Sequence, residues 1–188
     1  MGRFSYTAGM TPPYFLHSLN LQVLVTSGKP LVETIPLQNM ERLAGESVGL
    51  QPDSMVNFQV VAELRTGTTG QPDTWLHLQA STSIAMTCQR CMGHVQVPVQ
   101  VDQWYRFVAS EDVAMAEDDA SDEDLLVMTP QFDLISLLED ELLMALPLVP
   151  MHDVCPVVSG SSASAKEILD DLPEKPHPFA ALAQLKKK

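Results

Sequence analysis

Residues 76–101 read LHLQASTSIAMTCQRCMGHVQVPVQV, two runs of alternating apolar and polar residues joined through a Cys-x-x-Cys. Leu76, Leu78, Ala80, Thr82, Ile84 and Met86 fall on one face of the first run, and Val95, Val97, Val99 and Val101 on one face of the second. Successive side chains of a strand point to opposite faces, so this period of two predicts a hairpin with one buried face. Cys88 and Cys91 then sit at its bend. Gly93, two residues after the second thiol, is the expected place for a positive φ as the backbone folds back around two sulfurs. Pro98 has no amide to donate, which predicts an edge or bulged strand at that point.

The same alternation extends outward from the hairpin. Val56, Phe58, Val60, Ala62 and Leu64 alternate with mostly polar neighbours before a loop carrying two glycines and a proline, and Trp104 to Val108 lengthens the later strand. Leu21–Val25 and Leu125–Met128 read as further short strands. From 134 to 146 the period changes: Leu134, Leu137, Leu138, Leu142 and Ala145 recur at helical spacing, with Asp133 as the cap and Pro147 as the stop. The fold class expected is α+β, an antiparallel β meander or small barrel-like sheet packed by one main helix, with an acidic linker and a C-terminal helix. Glu141 lies within the helix stripe; it either reaches Arg90 or Arg106 or leans into water, because an unpaired buried carboxylate is costly.

These segments make one folded domain over 15–158, with an acidic loop at 110–124 inside it. A flexible linker is expected over 159–176, where Ser, Gly and Ala dominate, followed by a short helix and basic tail at 177–188. Pro178 suits the first turn of that last helix, and Phe179, Leu182 and Leu185 share one side.

The net charge is −13, and its distribution is uneven. Residues 1–110 carry 7 acidic and 6 basic side chains, whereas residues 111–188 carry 17 and 5. A general nucleic-acid binder needs clustered Lys and Arg, so this balance argues against one. The acidic run from Glu111 to Asp124 is either a solvated linker or a lure for a basic protein. Lys186, Lys187 and Lys188 either touch RNA phosphates or are simply solvated. Phe58, Trp75, Trp104, Tyr105 and Phe107 either stack on bases or pack within the sheet. No apolar run approaches the roughly 20 residues of a membrane span, and the N-terminal stretch lacks a signal's apolar core; a cytoplasmic protein is expected.

Chemistry concentrates at the thiols. Cys88 and Cys91 with His152 and Cys155 offer a donor set that suits zinc, and ordinary reduced thiols are the other reading of the same residues. A thioredoxin-like role fits poorly, because that motif opens a helix whereas this one bends between strands. No phosphate loop, nucleophile elbow or H-E-x-x-H is present, and the five histidines are scattered. No catalytic residue and no small-molecule substrate are expected.

Taken in order, C-Q-R-C at 88–91, E-D-E-L-L-M-A-L-P-L-V-P-M-H-D at 139–153 and H-P-F-A-A-L-A-Q-L-K at 177–186 resemble the YceD family of large ribosomal RNA subunit accumulation proteins. The resemblance implies a non-enzymatic role in the synthesis, processing or stability of 23S rRNA and in large-subunit assembly. It implies ribosomal proteins or assembly intermediates as partners, with 23S rRNA as part of a complex. Cys88, Arg90, Cys91, Glu139, Glu141, Pro147, Pro150, His152, Pro178 and Phe179 match the family's motifs. His177 stands where relatives often have Asn or Asp. The alternative is a zinc- or thiol-based regulatory module coupling metal or redox state to ribosome production.

Overall fold

The computed structural model describes residues 16–66 and 72–156. The chain divides into two units, Met1–Asp153 and Val154–Lys188. In the first, the order is α1 (Leu21–Ser27), β1 (Leu31–Pro36), a 3-10 turn (Leu37–Asn39), α2 (Glu41–Gly45), β2 (Met55–Thr66), β3 (Pro72–Thr87), β4 (His94–Val108), α3 (Glu111–Glu117), a second 3-10 turn (Asp118–Ala120), β5 (Asp124–Val127) and α4 (Leu134–Met144).

The strands form one sheet in the order β1-β2-β3-β4-β5. All neighbours are antiparallel except β4 and β5, which are parallel, so the sheet is mixed and open, a meander and not a barrel. Leu78 pairs with Val60 on one side and Gln103 on the other. The hairpin closes at Thr87 opposite His94, which leaves residues 88–93 as the bend. Pro98 pairs with Ser83 on β3, and β5 reaches only residues 105–108 of β4, so the proline's outer side has no strand to serve.

The period-two pattern decides which face is buried. Val56, Phe58, Val60, Leu76, Leu78, Ile84, Val99 and Val101 point inward, and Leu134, Leu138 and Leu142 of α4 cover them together with Leu21, Leu37, Met40 and Leu43. Each such large side chain contributes about 1.5–3 kcal/mol by leaving water. Phe58, Tyr105 and Phe107 belong to this core. On the other face His77 stacks on Trp104 at 4.1 Å and the Arg65 guanidinium lies 3.8 Å from the Trp104 ring centre, so these rings pack on one another.

The structure departs from the sequence reading in three elements. Leu21–Val25 is helix, not strand: Asn20 caps it by accepting from the Val23 amide, and the buried pair is Leu21 and Leu24, one turn apart. The edge strand β1 was not expected. The acidic connection at 110–124 carries α3, because the Ser110 hydroxyl caps it, Glu111 and Asp112 complement its first turn, and Glu117 pairs with Arg106 at 2.8 Å. The buried carboxylate of α4 is Glu139, while Glu141 is half-exposed beside Tyr105, the rim position that was the second of its two expected placements. Glu139 accepts from the amides of Arg42 (2.8 Å) and Leu43 (3.1 Å) and from Arg42 Nε (3.0 Å), which fastens α2 to α4. Neither Arg90 nor Arg106 takes that role; Arg106 pairs with Asp73 and Glu117. The linker at 159–176, the C-terminal helix with Pro178 and Phe179, and Lys186, Lys187 and Lys188 lie outside the described residues.

Candidate metal centre

Two extended elements and a strap build the centre. β3 delivers Cys88 fully buried at the start of the bend, and the bend closes on itself through Cys88 N donating to the Gly93 carbonyl (2.8 Å) and Met92 N donating to the Cys88 carbonyl (2.9 Å). The left-handed residue is Met92, at φ 60°, and not Gly93. A Cβ on Gly93 would meet the Cys91 sulfur at 3.5 Å, an ordinary van der Waals contact, so neither φ nor space requires a glycine there.

The strap is the run after α4, whose end at Met144 is followed by Pro147. Pro150 is buried, and its carbonyl accepts from the Gln89 amide at 2.9 Å, which lays residues 147–152 against the bend. His152 is thereby carried to the thiols across 61 residues of chain: its Nδ1 lies 3.4 Å from the Cys91 sulfur. Its amide donates to the Cys88 sulfur at 3.5 Å. The far ring nitrogen, Nε2, is 2.9 Å from the His94 carbonyl. A carbonyl only accepts, so Nε2 carries a hydrogen, and Nδ1 is the ring nitrogen that faces the sulfurs.

The ligand atoms of Cys88, Cys91 and His152 lie within 4.8 Å of one another, and Cys155 follows His152 by three residues in the chain. A tetrahedral zinc ion with bonds of about 2.3 Å to sulfur and about 2.0 Å to nitrogen holds its ligand atoms roughly 3.3–3.8 Å apart. The separation of Cys91 Sγ and His152 Nδ1 already falls in that range. The electrostatics fit as well. Burial raises the Cys88 thiol, but amide hydrogen bonds from Cys91, His152 and Arg90, and the His152 side chain, outweigh it and bring the thiol from 9.0 down to about 5. A thiolate is the form a metal takes. The residues present therefore fit zinc.

The remaining motif residues divide. Arg90 is exposed and reaches the Met151 sulfur at 3.9 Å instead of the acidic helix. Pro147 is exposed just past α4. Glu139 is structural, as described above, and Arg42, its partner 97 residues away, was invisible to local pattern. The His94 and Pro150 carbonyls were equally hidden, since backbone groups leave no mark in a sequence. Among the described residues no helix is long and apolar enough to cross a membrane.

A mixed sheet whose longest hairpin meets a proline strap at its bend, through thiols and an imidazole, defines a small α+β protein with a candidate metal centre at that bend. The chain belongs to the YceD family: the family description "Large ribosomal RNA subunit accumulation protein YceD" matches residues 76–186. It is 30% identical over 151 residues to the protein of that name from Haemophilus influenzae, covering 79% of this chain and 83% of that one. No solved structure matches this chain.

Proposed function

We propose that this protein is a non-enzymatic cytoplasmic factor supporting the synthesis, processing or stability of 23S rRNA and large-subunit assembly, with zinc held by Cys88, Cys91, His152 and Cys155 as a structural ion. The observation that carries the reading is the likeness over most of both chains to a protein named for large ribosomal RNA subunit accumulation. A set of four protein ligands leaves no open position for substrate, which supports a structural ion over a catalytic one. The net charge of −13 supports contact with basic proteins, or a composite protein and RNA surface, over binding of free RNA.

Deleting the gene and measuring large-subunit rRNA against small-subunit rRNA tests this. The deletion is expected to lower the ratio and the intact protein to restore it; an unchanged ratio refutes the proposal. Replacing Cys88 and Cys91 with Ser separates the structural ion from a regulatory one. A structural ion predicts that protein level and rRNA ratio fall together. A regulatory module predicts a normal protein level with a lost response to metal or oxidant.

A further inference from the structure

The strap does more than deliver His152. Its backbone is anchored on the inside, through buried Pro150 and the Gln89 amide, while Leu148, Val149 and Met151 are exposed. Leu148 is 100% exposed, Val149 55% and Met151 48%, and Met144 at the end of α4 is 83% exposed. Pro147 and Pro150 fix φ on either side of Leu148 and Val149, so this apolar ridge is held in shape before anything binds it, which lowers the cost of ordering an interface. Large aliphatic and thioether groups displayed together mark an interaction surface, and methionine adapts to different partners.

The rim says what kind of partner fits. Glu46 shares a hollow with Leu148, Asp153 shares the opposite hollow with Val149, Met151 and the cation Arg90, and Glu141 shares a third with Met144. None of the three carboxylates has a cation within ion-pair distance among the described residues. The described cations are Lys29, Arg42, Arg65, Arg90 and Arg106, and Arg42, Arg65 and Arg106 are already paired with carboxylates. Three carboxylates against the one guanidinium of Arg90 leave the rim net negative, and an apolar centre with such a rim complements a segment whose apolar side chains are flanked by Lys and Arg.

We infer that the strap ridge, Leu148 to Met151 with Met144, is the docking surface for an amphipathic Lys/Arg-rich segment of a basic protein. The inference rests on the reading above that the protein works through protein contacts, and it identifies the surface and the chemistry of the contact. It also gives the metal centre a consequence: by pinning His152, the ion would set the strap against the bend and hold the ridge in place.

The test uses the full-length protein, immobilised and offered the basic proteins extracted from purified large ribosomal subunits, with retained proteins identified and their affinities measured in rising salt. Leu148→Asp and Met151→Asp are the variants; Val23→Asp, at an exposed apolar residue of α1, is the control. Circular dichroism and metal content verify that each is folded. The expected result is retention of one or more of these proteins, weakened by salt, unchanged in Val23→Asp and reduced at least about tenfold in both strap variants. Retention equal in all variants overturns the docking surface while leaving a role through protein contacts standing. No retention by the intact protein removes that role as well. Self-association abolished by Leu148→Asp overturns the inference in favour of a second copy of this chain, and rRNA binding lost in the strap variants overturns it in favour of RNA.

Discussion

Replacing Glu139 with Ala removes the acceptor that holds the first turn of α2. Its Oε1 takes the backbone amides of Arg42 and Leu43 at 2.8 and 3.1 Å, and Leu43 is completely buried. Hydrogen bonds to a charged group are worth about 1.5–3 kcal/mol each, and a buried donor left without an acceptor retains its full desolvation cost. The Arg42 amide sits nearer water and recovers part of its loss, and the guanidinium is half-exposed and adds little. The expected destabilisation is therefore about 2–4 kcal/mol. Glu139→Gln keeps a carbonyl for the same amides and loses only the charge, so about 1 kcal/mol is expected. Glu141→Ala, at the position that helical periodicity alone would place in the buried stripe, is expected to stay within about 0.5 kcal/mol of the parent. Urea unfolding followed by circular dichroism reads all three as shifts in midpoint at constant slope. A Glu139→Ala midpoint indistinguishable from the parent, or a Glu141→Ala effect exceeding it, refutes the clamp between α2 and α4.

Three other consequences follow from the bend and the strap. Met92→Gly relieves a left-handed residue and is expected to stabilise by about 0.5–1 kcal/mol, measured by the same unfolding assay; a loss of stability would show that the Met92 side chain contributes more than its backbone costs. In the metal-free protein Cys88 is depressed to about 5 from 9.0, so stability linked to its thiolate is fully present above about pH 9, declines as pH falls and is gone below about 5. Ultraviolet thiolate absorbance checks this, with titration near 9 as the contrary result. Chelation is expected to speed hydrogen exchange at the Gln89 amide, which bonds to Pro150, while amides in the middle of β3 stay protected; equal deprotection of both would mean that the ion holds the whole sheet.

The central sheet was legible because its inward residues repeat every second position from Val56 to Val101, and the main helix because Asp133 and Pro147 bracket a leucine stripe. Leu21–Val25 misled for a physical reason. L-Q-V-L-V is a short apolar run with two β-branched valines, which suits a strand, yet the Asn20 cap starts a helix and leaves Val23 60% exposed. The strand β1 escaped because Glu33 interrupts its inward face. At the centre, Cys88, Cys91, His152 and Cys155 were legible by residue type, since few other side chains favour a soft metal. The rest depended on tertiary placement: Met92 taking the left-handed position, the His94 carbonyl fixing the imidazole, and Arg42 meeting Glu139 all arise from the way distant segments pack.

Metal analysis of the full-length protein, expressed without a histidine tag and purified without chelator, tests the account most directly. About one equivalent of zinc is expected, lost when Cys88 or His152 is replaced. Less than about a tenth of an equivalent in folded protein, or an unchanged content in those variants, contradicts it.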